Sequence, residues 1–300
     1  MKKYGLCIVV LHYNNAEMTI SYVKNLKKLV AENYEKHIIL VDNNSPDGSG
    51  KMLKDYYIND PQVDVELLDR NLGFAKGNNV GIHLADKKYH ADFIVLSNND
   101  IKINDRRFFE KMLDIYERTG FDIFGPDIYG VRNKMHQSPI ADKYLSVDQI
   151  DERIKHYTKT LKMIKFTGRL KIYYPLCFVR DSITSVFGKG KEYFRNYTEY
   201  QEGVVLHGAF LVLTKKYLEA YPDGLYPGTF MYEEERILNY RAELKNLKTV
   251  YDPSLSVRHL EGVASLSIRG DRLNKLIFEE ENIIKSCKIM KRYIQKNPLP

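Results

Sequence analysis

The stretch VLSNND, Val95–Asp100, begins as a buried strand and ends in two amides and a carboxylate. Asn and Asp are frequent where strands stop, because their side chains satisfy nearby backbone groups in turns. The carboxyl end of a parallel strand is also where open α/β folds bind ligands, and a carboxylate there suits a metal ion and a phosphate. The flanking sequence decides which reading applies, and with it the fold.

Towards the N-terminus the pattern alternates. LCIVVLHY (Leu6–Tyr13), HIILVD (His37–Asp42), VDVELLD (Val63–Asp69) and DFIVLS (Asp92–Ser97) read as short apolar strands. Between them lie an amphipathic run from about Ala16 to Asn33, a helical stretch from near Asp47, and the helix AKGNNVGIHLADK (Ala75–Lys87); RRFFEKMLDIYERTG (Arg106–Gly120) follows as another helix. Apolar strands alternating with helices predict an α/β fold with a doubly wound, mostly parallel sheet.

Beyond about Tyr129 the pattern changes. The region to Glu202 is basic and aromatic with little clean period, and is read as an insertion. The α/β pattern returns with the strand GAFLVLT (Gly208–Thr214), a helix through YEEERILNYRAEL (Tyr232–Leu244), and the strand LKTVYD (Leu247–Asp252). A last helix is expected from about Arg272 to Gln295, with lysines and arginines beside a stripe of apolar positions. Such a helix either lies on an anionic membrane surface or packs on the core with a solvated charged face. The expected organisation is residues 1–128 as a nucleotide-binding half, 129–265 as an acceptor half of the same catalytic unit with its insertion at 129–205, and 266–300 as the basic helix.

Composition narrows the class. The chain has 300 residues, 44% hydrophobic and 28% charged, an ordinary globular balance with a net charge of +7. Cys7, Cys177 and Cys287 have neither disulfide-framework nor metal-pair spacing, and Met1-Lys2-Lys3-Tyr4 leads straight into a strand without a signal-like apolar region. A reducing, cytoplasmic setting is expected. No apolar run approaches the roughly 20 residues of a spanning helix. The basic, aromatic insertion could in principle contact RNA, but no RNA-recognition motif accompanies it, so nucleic acid is not an expected partner.

Two tempting motifs fail. DGSGKM (Asp47–Met52) lacks the P-loop pattern, because Ser45 stands at the first glycine position and Met52 replaces the magnesium-binding hydroxyl. GFAKGNNVG (Gly73–Gly81) does not have dinucleotide-fingerprint spacing, although a helix N-terminus there could hold a phosphate or ribose.

The segments VVLHYNN (Val9–Asn15), LVDNNSPDGS (Leu40–Ser49), NLGFAKGNNVGI (Asn71–Ile82), VLSNND, GAFLVLTKKYL (Gly208–Leu218), FMYEEERIL (Phe230–Leu238) and VRHLEG (Val257–Gly262) occur in one order. Together, over roughly Leu6 to Ser265, they resemble the family 2 glycosyltransferases, and within them a rhamnosyltransferase-like branch. The resemblance implies a GT-A fold and inverting transfer of a sugar from a nucleotide donor. That chemistry needs charge neutralisation on the leaving diphosphate, a base for the acceptor hydroxyl, and a positioned nucleoside.

For the first need, Asn98-Asn99-Asp100 lies where the family carries Asp-x-Asp. By that likeness Asp100, with Asn98 and His259, holds Mg2+ or Mn2+, and Asn98 brings an amide where the family has a carboxylate. For the second, Glu234 and Glu235 occupy the Glu-Asp positions of the family's catalytic pattern, with Glu235 as the base and Ile237 in place of a later aspartate. Crowding Glu233, Glu234 and Glu235 is expected to raise at least one pKa by like-charge repulsion. For the third, the likeness places a pyrimidine base near Tyr13, Asn14, Asp42 and Asn44. It lines the ribose and diphosphate with Asn71, Gly73, Phe74, Lys76, Asn78, Asn98 and Asn99. Gly208 would allow close backbone approach to the donor sugar or acceptor. Asn44 and Asn71 read equally well as turn or cap residues.

The implied donor is a dTDP- or UDP-sugar, with dTDP-rhamnose leading. The implied acceptor is a saccharide or a polyprenyl-diphosphate-linked sugar at a membrane surface, in surface polysaccharide synthesis. Two other readings stay open: a metal-dependent nucleotidyltransferase, for which HYNNAEMT (His12–Thr19) supplies no basic Gly-rich loop, and an inactive carbohydrate- or lipid-carrier-binding module.

Overall fold

The structure, a computed structural model, describes residues 3–169, 196–261 and 272–299. The strands are β1 (Tyr4–His12), β2 (Tyr34–Asp42), β3 (Val63–Leu67), β4 (Phe93–Asn98), β5 (Ile101–Lys102), β6 (Ile123–Gly130), β7 (Met135–His136), β8 (Gln201–Glu202), β9 (Phe210–Thr214) and β10 (Thr249–His259). The helices are α1 (Ala16–Lys27), α2 (Ser49–Tyr57), α3 (Gly73–Tyr89), α4 (Phe108–Thr119), α5 (Val147–Arg169), α6 (Lys215–Ala220), α7 (Glu234–Leu244) and α8 (Arg272–Lys296).

The strands form one sheet in the order β3-β2-β1-β4-β9-β6-β10-β5, with β7 beside β6 and β8 beside β10. β1, β2, β3 and β4 are mutually parallel, as the alternating pattern predicts. β1 carries the two-faced burial of a central strand. Leu6, Ile8 and Val10 join the cluster containing residues of α1 and α4, while Cys7 and Val9 join the cluster containing residues of α3.

Three features depart from the sequence expectation. β9 runs antiparallel between β4 and β6, because a chain returning directly from the edge of the site enters the sheet from its carboxyl side. β6 was not expected as a strand: Gly125 and Pro126 interrupt its apolar run. The sheet accommodates Pro126, which lacks an N–H, beside a register shift in β10 between Asp252 and Ser256. α1 stops at Lys27 rather than near Asn33, since the Val30 N–H bonds to the Arg106 carbonyl at 2.8 Å instead of continuing the helix.

The insertion holds a regular element. Within α5, Ile150, Ile154, Tyr157, Leu161 and Ile164 recur at alternating spacings of four and three, a period hidden in the sequence by lysines and by the exposed Met163 and Phe166. α5 packs antiparallel against α8: Asp151, near the start of α5, pairs with Lys291, near the end of α8, and Lys165 pairs with Glu281 at the opposite ends. Ile237 of α7 joins Ile150, Cys287 and Met290 in a small separate core. The second half of the C-terminal helix's apolar stripe, Ile283, Ile284, Cys287 and Met290, is therefore covered by protein, while Leu273, Leu276 and Ile277 are half-buried. Among the described residues, no helix is long and apolar enough to cross a membrane. Cys7 and Cys287 are free buried thiols, and Cys177 lies outside the described residues.

Candidate active site

The carboxyl ends of β1, β2, β4 and β10 share one edge of the sheet with the amino end of the antiparallel β9. That topology gathers the sequence motifs. The Asn98 N–H bonds to the Ala209 carbonyl at 3.0 Å, which ties the VLSNND turn to the start of β9. The Phe74 N–H, at the start of α3, bonds to the Phe230 carbonyl at 2.8 Å, which ties α3 to the segment leading into the glutamates. Gly73 has φ +80°, and a β-carbon there would fall 2.1 Å from the Phe230 oxygen, so only glycine permits this approach.

Asp100 is buried after β4, and its carbonyl accepts the Leu260 N–H at 2.9 Å. His259 is the last residue of β10, which runs seven residues beyond the Asp252 at which the strand read from the sequence ends. Its Nε2 stands 3.2 Å from Asp100 Oδ1. Its Nδ1 lies 2.8 Å from Gln137 Oε1, while Gln137 Nε2 donates to Glu261 Oε1 at 2.7 Å. The glutamate thus fixes the Gln137 amide so that its oxygen accepts from His259 Nδ1–H, and Nε2 is left directed at the Asp100 carboxylate. A proton or a cation between Nε2 and the carboxylate satisfies both. The donor set, one carboxylate and one imidazole, fits a divalent cation of the magnesium or manganese kind. Among the described residues no three His, Cys, Asp or Glu side chains converge, so such an ion would complete its shell with amide, water or ligand oxygens.

The glutamates stand at the start of α7, joined to the same edge through Gly208. Tyr232 and Glu233 both adopt positive φ, 71° and 68°, and α7 starts immediately after them. Glu234 is 7% exposed, its Oε1 is buried without a hydrogen-bond partner, and its pKa is pushed up to about 8 by burial and then by the charge of Glu235. The pKa of Glu235 is likewise raised, first by burial and then by the charge of Glu233. Like-charge crowding therefore contributes as the sequence predicts, but desolvation is the larger cause in both. Glu235 Oε1 accepts the Gly208 N–H at 3.2 Å. A β-carbon at Gly208 would sit 2.7 Å from that oxygen and 3.3 Å from Phe74 Cζ, so the room that glycine provides is occupied by Glu235 and Phe74. Ile237, where the resemblance has a further aspartate, is 1% exposed and belongs to the core shared with α5 and α8.

The remaining expected residues are distributed along the same edge. Tyr13 is half-buried, and Asn14 holds a buried Oδ1 without a partner. Asp42 is buried and accepts from the Ser45 hydroxyl and backbone N–H, while Asn44 is exposed at φ 60°. Asn71 accepts the Gly73 N–H at 2.9 Å in a turn leading into α3. With Phe74 N–H also bonded, two amide groups at that helix start are already satisfied, leaving less for a phosphate than the sequence implies. Lys76 is exposed, whereas Asn78 is buried and donates to the Phe74 carbonyl within its own helix. Asn98 is half-buried at the strand end. Asn99 turns inward, donating to Thr19 Oγ1 at 2.9 Å.

Several site residues escape sequence reasoning. His12 is fully buried beneath the edge, 2.7 Å from Thr19 Oγ1, 2.8 Å from Ser49 Oγ and 3.9 Å from Asp42 Oδ1, with its pKa lowered by burial. It ties β1 to α1 and α2. Asn43 bridges to α3 through the Leu72 N–H and the Gly73 carbonyl. His207 lies beside His259, with ring centroids 6.0 Å apart, and burial lowers its pKa to about 4. Its Nδ1 accepts the Ala209 N–H at 3.0 Å, so the proton of the neutral ring sits on Nε2. The only signal for His12 and His207 was a polar residue beside an apolar strand; Glu261 lay within VRHLEG without an assigned role, and Gln137 had no signal.

The family model described as Glycosyl transferase family 2 matches residues 7–221. A comparison with curated proteins gives no match. Among solved structures, Staphylococcus aureus TarS 1–349 superposes with a TM-score of 0.53 at 13% identity, over 95% of this chain and 72% of that one. TarS 1–349 in complex with UDP gives 0.52 at 14%, over 93% and 65%. TarS 1–349 in complex with UDP-GlcNAc gives 0.52 at 14%, over 93% and 66%. This chain spans about two thirds of those structures, and at these identities the likeness is one of fold. The family match extends over more than half of the chain and lies on a sheet whose ligand edge carries the resembling motifs: the chain belongs to glycosyl transferase family 2 and is a glycosyltransferase.

Proposed function

We propose that the enzyme transfers a sugar, with inversion, from a pyrimidine nucleotide-sugar to a hydroxyl of a saccharide or polyprenyl-diphosphate-linked acceptor in surface polysaccharide synthesis. Glu235 is the general base. The observation that carries this reading is the link, along one sheet edge, between the Asp100–His259 pair and Glu235, a carboxylate of raised pKa: His207 lies beside His259, and the next residue, Gly208, donates its N–H to Glu235. A base with a raised pKa suits removal of a hydroxyl proton near neutral pH. The acceptor oxygen attacks the anomeric carbon as its proton passes to Glu235, and the bond to the nucleoside diphosphate breaks on the opposite face. Asp100 and His259 hold Mg2+ or Mn2+ when it is bound, and that ion supplies charge neutralisation to the leaving diphosphate. Tyr13, Asn14 and Asp42 stand where the nucleoside would lie, with Asn71, Lys76 and Asn98 along the ribose and diphosphate. dTDP-rhamnose is the leading donor; the UDP and UDP-GlcNAc complexes of TarS support the broader class of nucleotide-sugar donors.

A cytoplasmic position against the membrane goes with a lipid-linked acceptor. α8 is covered along the second half of its apolar stripe, and α5 supplies the contact in this reading. Its exposed face carries Lys155, Lys159 and Lys162 with Met163 and Phe166, which are 55% and 63% exposed. Juxtaposed basic and apolar side chains favour an anionic interface.

A calorimetric screen of dTDP- and UDP-sugars, with Mn2+ and with chelator, tests the reading. Cation-dependent binding of a pyrimidine nucleotide-sugar is the expected result. Binding that is insensitive to chelator would remove the cation role, and no binding of any nucleotide-sugar would remove the donor assignment.

A further inference from the structure

The glutamates at the start of α7 have unequal surroundings. Among the described residues Glu234 and Glu235 have no ion-pair partner, whereas the Glu233 side chain is 1% exposed and takes the cations. Arg153, from α5, reaches Glu233 Oε1 with Nε at 3.0 Å and Nη2 at 2.9 Å, and Arg236 Nη1 lies 3.5 Å from Oε2. A buried carboxylate needs such pairing, and the planar guanidinium fork supplies direction as well as charge. The same turn is held on other sides: the Phe230 carbonyl accepts from Phe74 N, and the Met231 carbonyl accepts from Ser286 Oγ of α8 at 2.7 Å. Tyr232 and Glu233 sit in the left-handed region, which side chains other than glycine adopt only when surrounding contacts enforce it. Two residues beyond Glu233 is Glu235.

We propose that Glu233 is a positioning residue, and that its ion pair with Arg153 makes the α5–α8 helix pair the support that sets where the Glu235 carboxylate stands. The assignment of Glu235 as base comes from the proposed function, and this inference rests on that reading. α5 belongs to the insertion, so the insertion completes the base side of the site mechanically, from behind the turn, without touching the reacting atoms. Removing the Glu233 charge leaves the half-buried Arg153, which lies over the Tyr157 ring, without its carboxylate partner and the two left-handed residues with less to hold them, so the start of α7 shifts. A displacement of about 1 Å at a reacting group lowers rates on the order of 10²-fold.

The test compares the native chain with Glu233→Gln, Arg153→Met and Arg153→Lys. Hydrogen exchange is followed at the amides of residues 231–237 and in β1 and β4, alongside turnover of dTDP-rhamnose and UDP-GlcNAc with Mn2+. Glu233→Gln and Arg153→Met should speed exchange in the turn about tenfold while β1 and β4 keep their protection. kcat should fall about 10²-fold with the donor KM within about twofold, because ground-state binding is not what the turn provides. Arg153→Lys, which keeps the charge without the fork, should recover part of both. Unchanged exchange and kcat, or exchange rising equally in β1 and β4, would overturn the proposal. If the native chain turns over neither nucleotide-sugar, the transfer reading fails, while the exchange measurements alone still decide whether Glu233 holds the turn.

Discussion

The two sides of the candidate site are built on opposite principles. The Asp100–His259 side stands on sheet backbone: β5 pairs antiparallel with β10 so that Ile101 faces His259, and the Leu260 N–H closes on the Asp100 carbonyl. Its side chains form a chain of complementary partners from Asp100 through His259 and Gln137 to Glu261. The glutamate side stands on a turn in left-handed conformation and leaves two carboxylates without cations in a desolvated setting. In the proposed reaction one side holds a cation and the other takes up a proton. A transfer reaction needs both at opposite ends of the substrate. Substitutions that move one function without the other test the division.

The largest effect is expected for Asp100→Ala. It removes the only carboxylate of the cation pair, and several kcal/mol of charge stabilisation are at stake, so turnover should fall by at least about 10³-fold. Calorimetry should show loss of the Mn2+-dependent part of nucleotide-sugar binding as well. Retained cation-dependent binding would show that the pair is not the cation site.

Glu235→Gln should lower kcat by about 10²–10⁴-fold, the range for a lost general base, with donor binding intact. The pH dependence follows from the raised pKa values. A base must be ionised, so the rate of the native enzyme should rise with pH and level off above the range in which Glu234 and Glu235 ionise. Glu234, raised to about 8, binds its proton more tightly in the folded state. Its contribution to stability is therefore full below the unfolded-state value and declines as pH rises towards 8, by at most about 1.4 kcal/mol per pH unit. Thermal denaturation of the native chain and of Glu234→Gln at successive pH values would reveal this slope, which should weaken in the variant. A rate that falls with pH over the same interval would reverse the base assignment.

Gly208→Ala should act on the glutamate side alone. The added methyl would meet Glu235 Oε1 at 2.7 Å and displace it, lowering kcat by up to about 10²-fold while cation-dependent nucleotide binding stays near native. A matched loss of donor binding would mean that the glycine serves the donor directly.

Legibility in the sequence differs between the sides in the same way. VLSNND and the three parallel strands before it are local: β1, β2 and β4 are continuous apolar runs, β3 alternates, and turn chemistry follows each at once. The N-terminal half could be read almost element by element. What failed there was local too, as at Val30, where a tertiary hydrogen bond replaced a helical one. The glutamate side is assembled at long range. FMYEEE marked Glu234 and Glu235, but nothing near them announces that Arg153, 80 residues earlier, or Ser286, 55 residues later, holds the turn. Gln137 and His259 are 122 residues apart, so their contact is a property of the fold and not of either motif.

Gln137→Leu probes that last contact and should have the smallest effect. Leucine is similar in size but cannot accept from His259 Nδ1 or donate to Glu261. Freed of this constraint, the ring can place its proton on Nε2, which turns an acceptor aimed at Asp100 into a donor and closes the pair with a proton instead of a cation. Outer partners of metal-ligating histidines are worth about 10–100-fold in metal affinity. Calorimetric titration of Mn2+ in the presence of UDP should show a loss within that range, and the pH profile set by the glutamates should keep its midpoint. If Gln137→Leu instead shifts that midpoint while leaving Mn2+ affinity unchanged, the two sides are coupled through the Asp100–His259 pair and the division of labour between them does not hold.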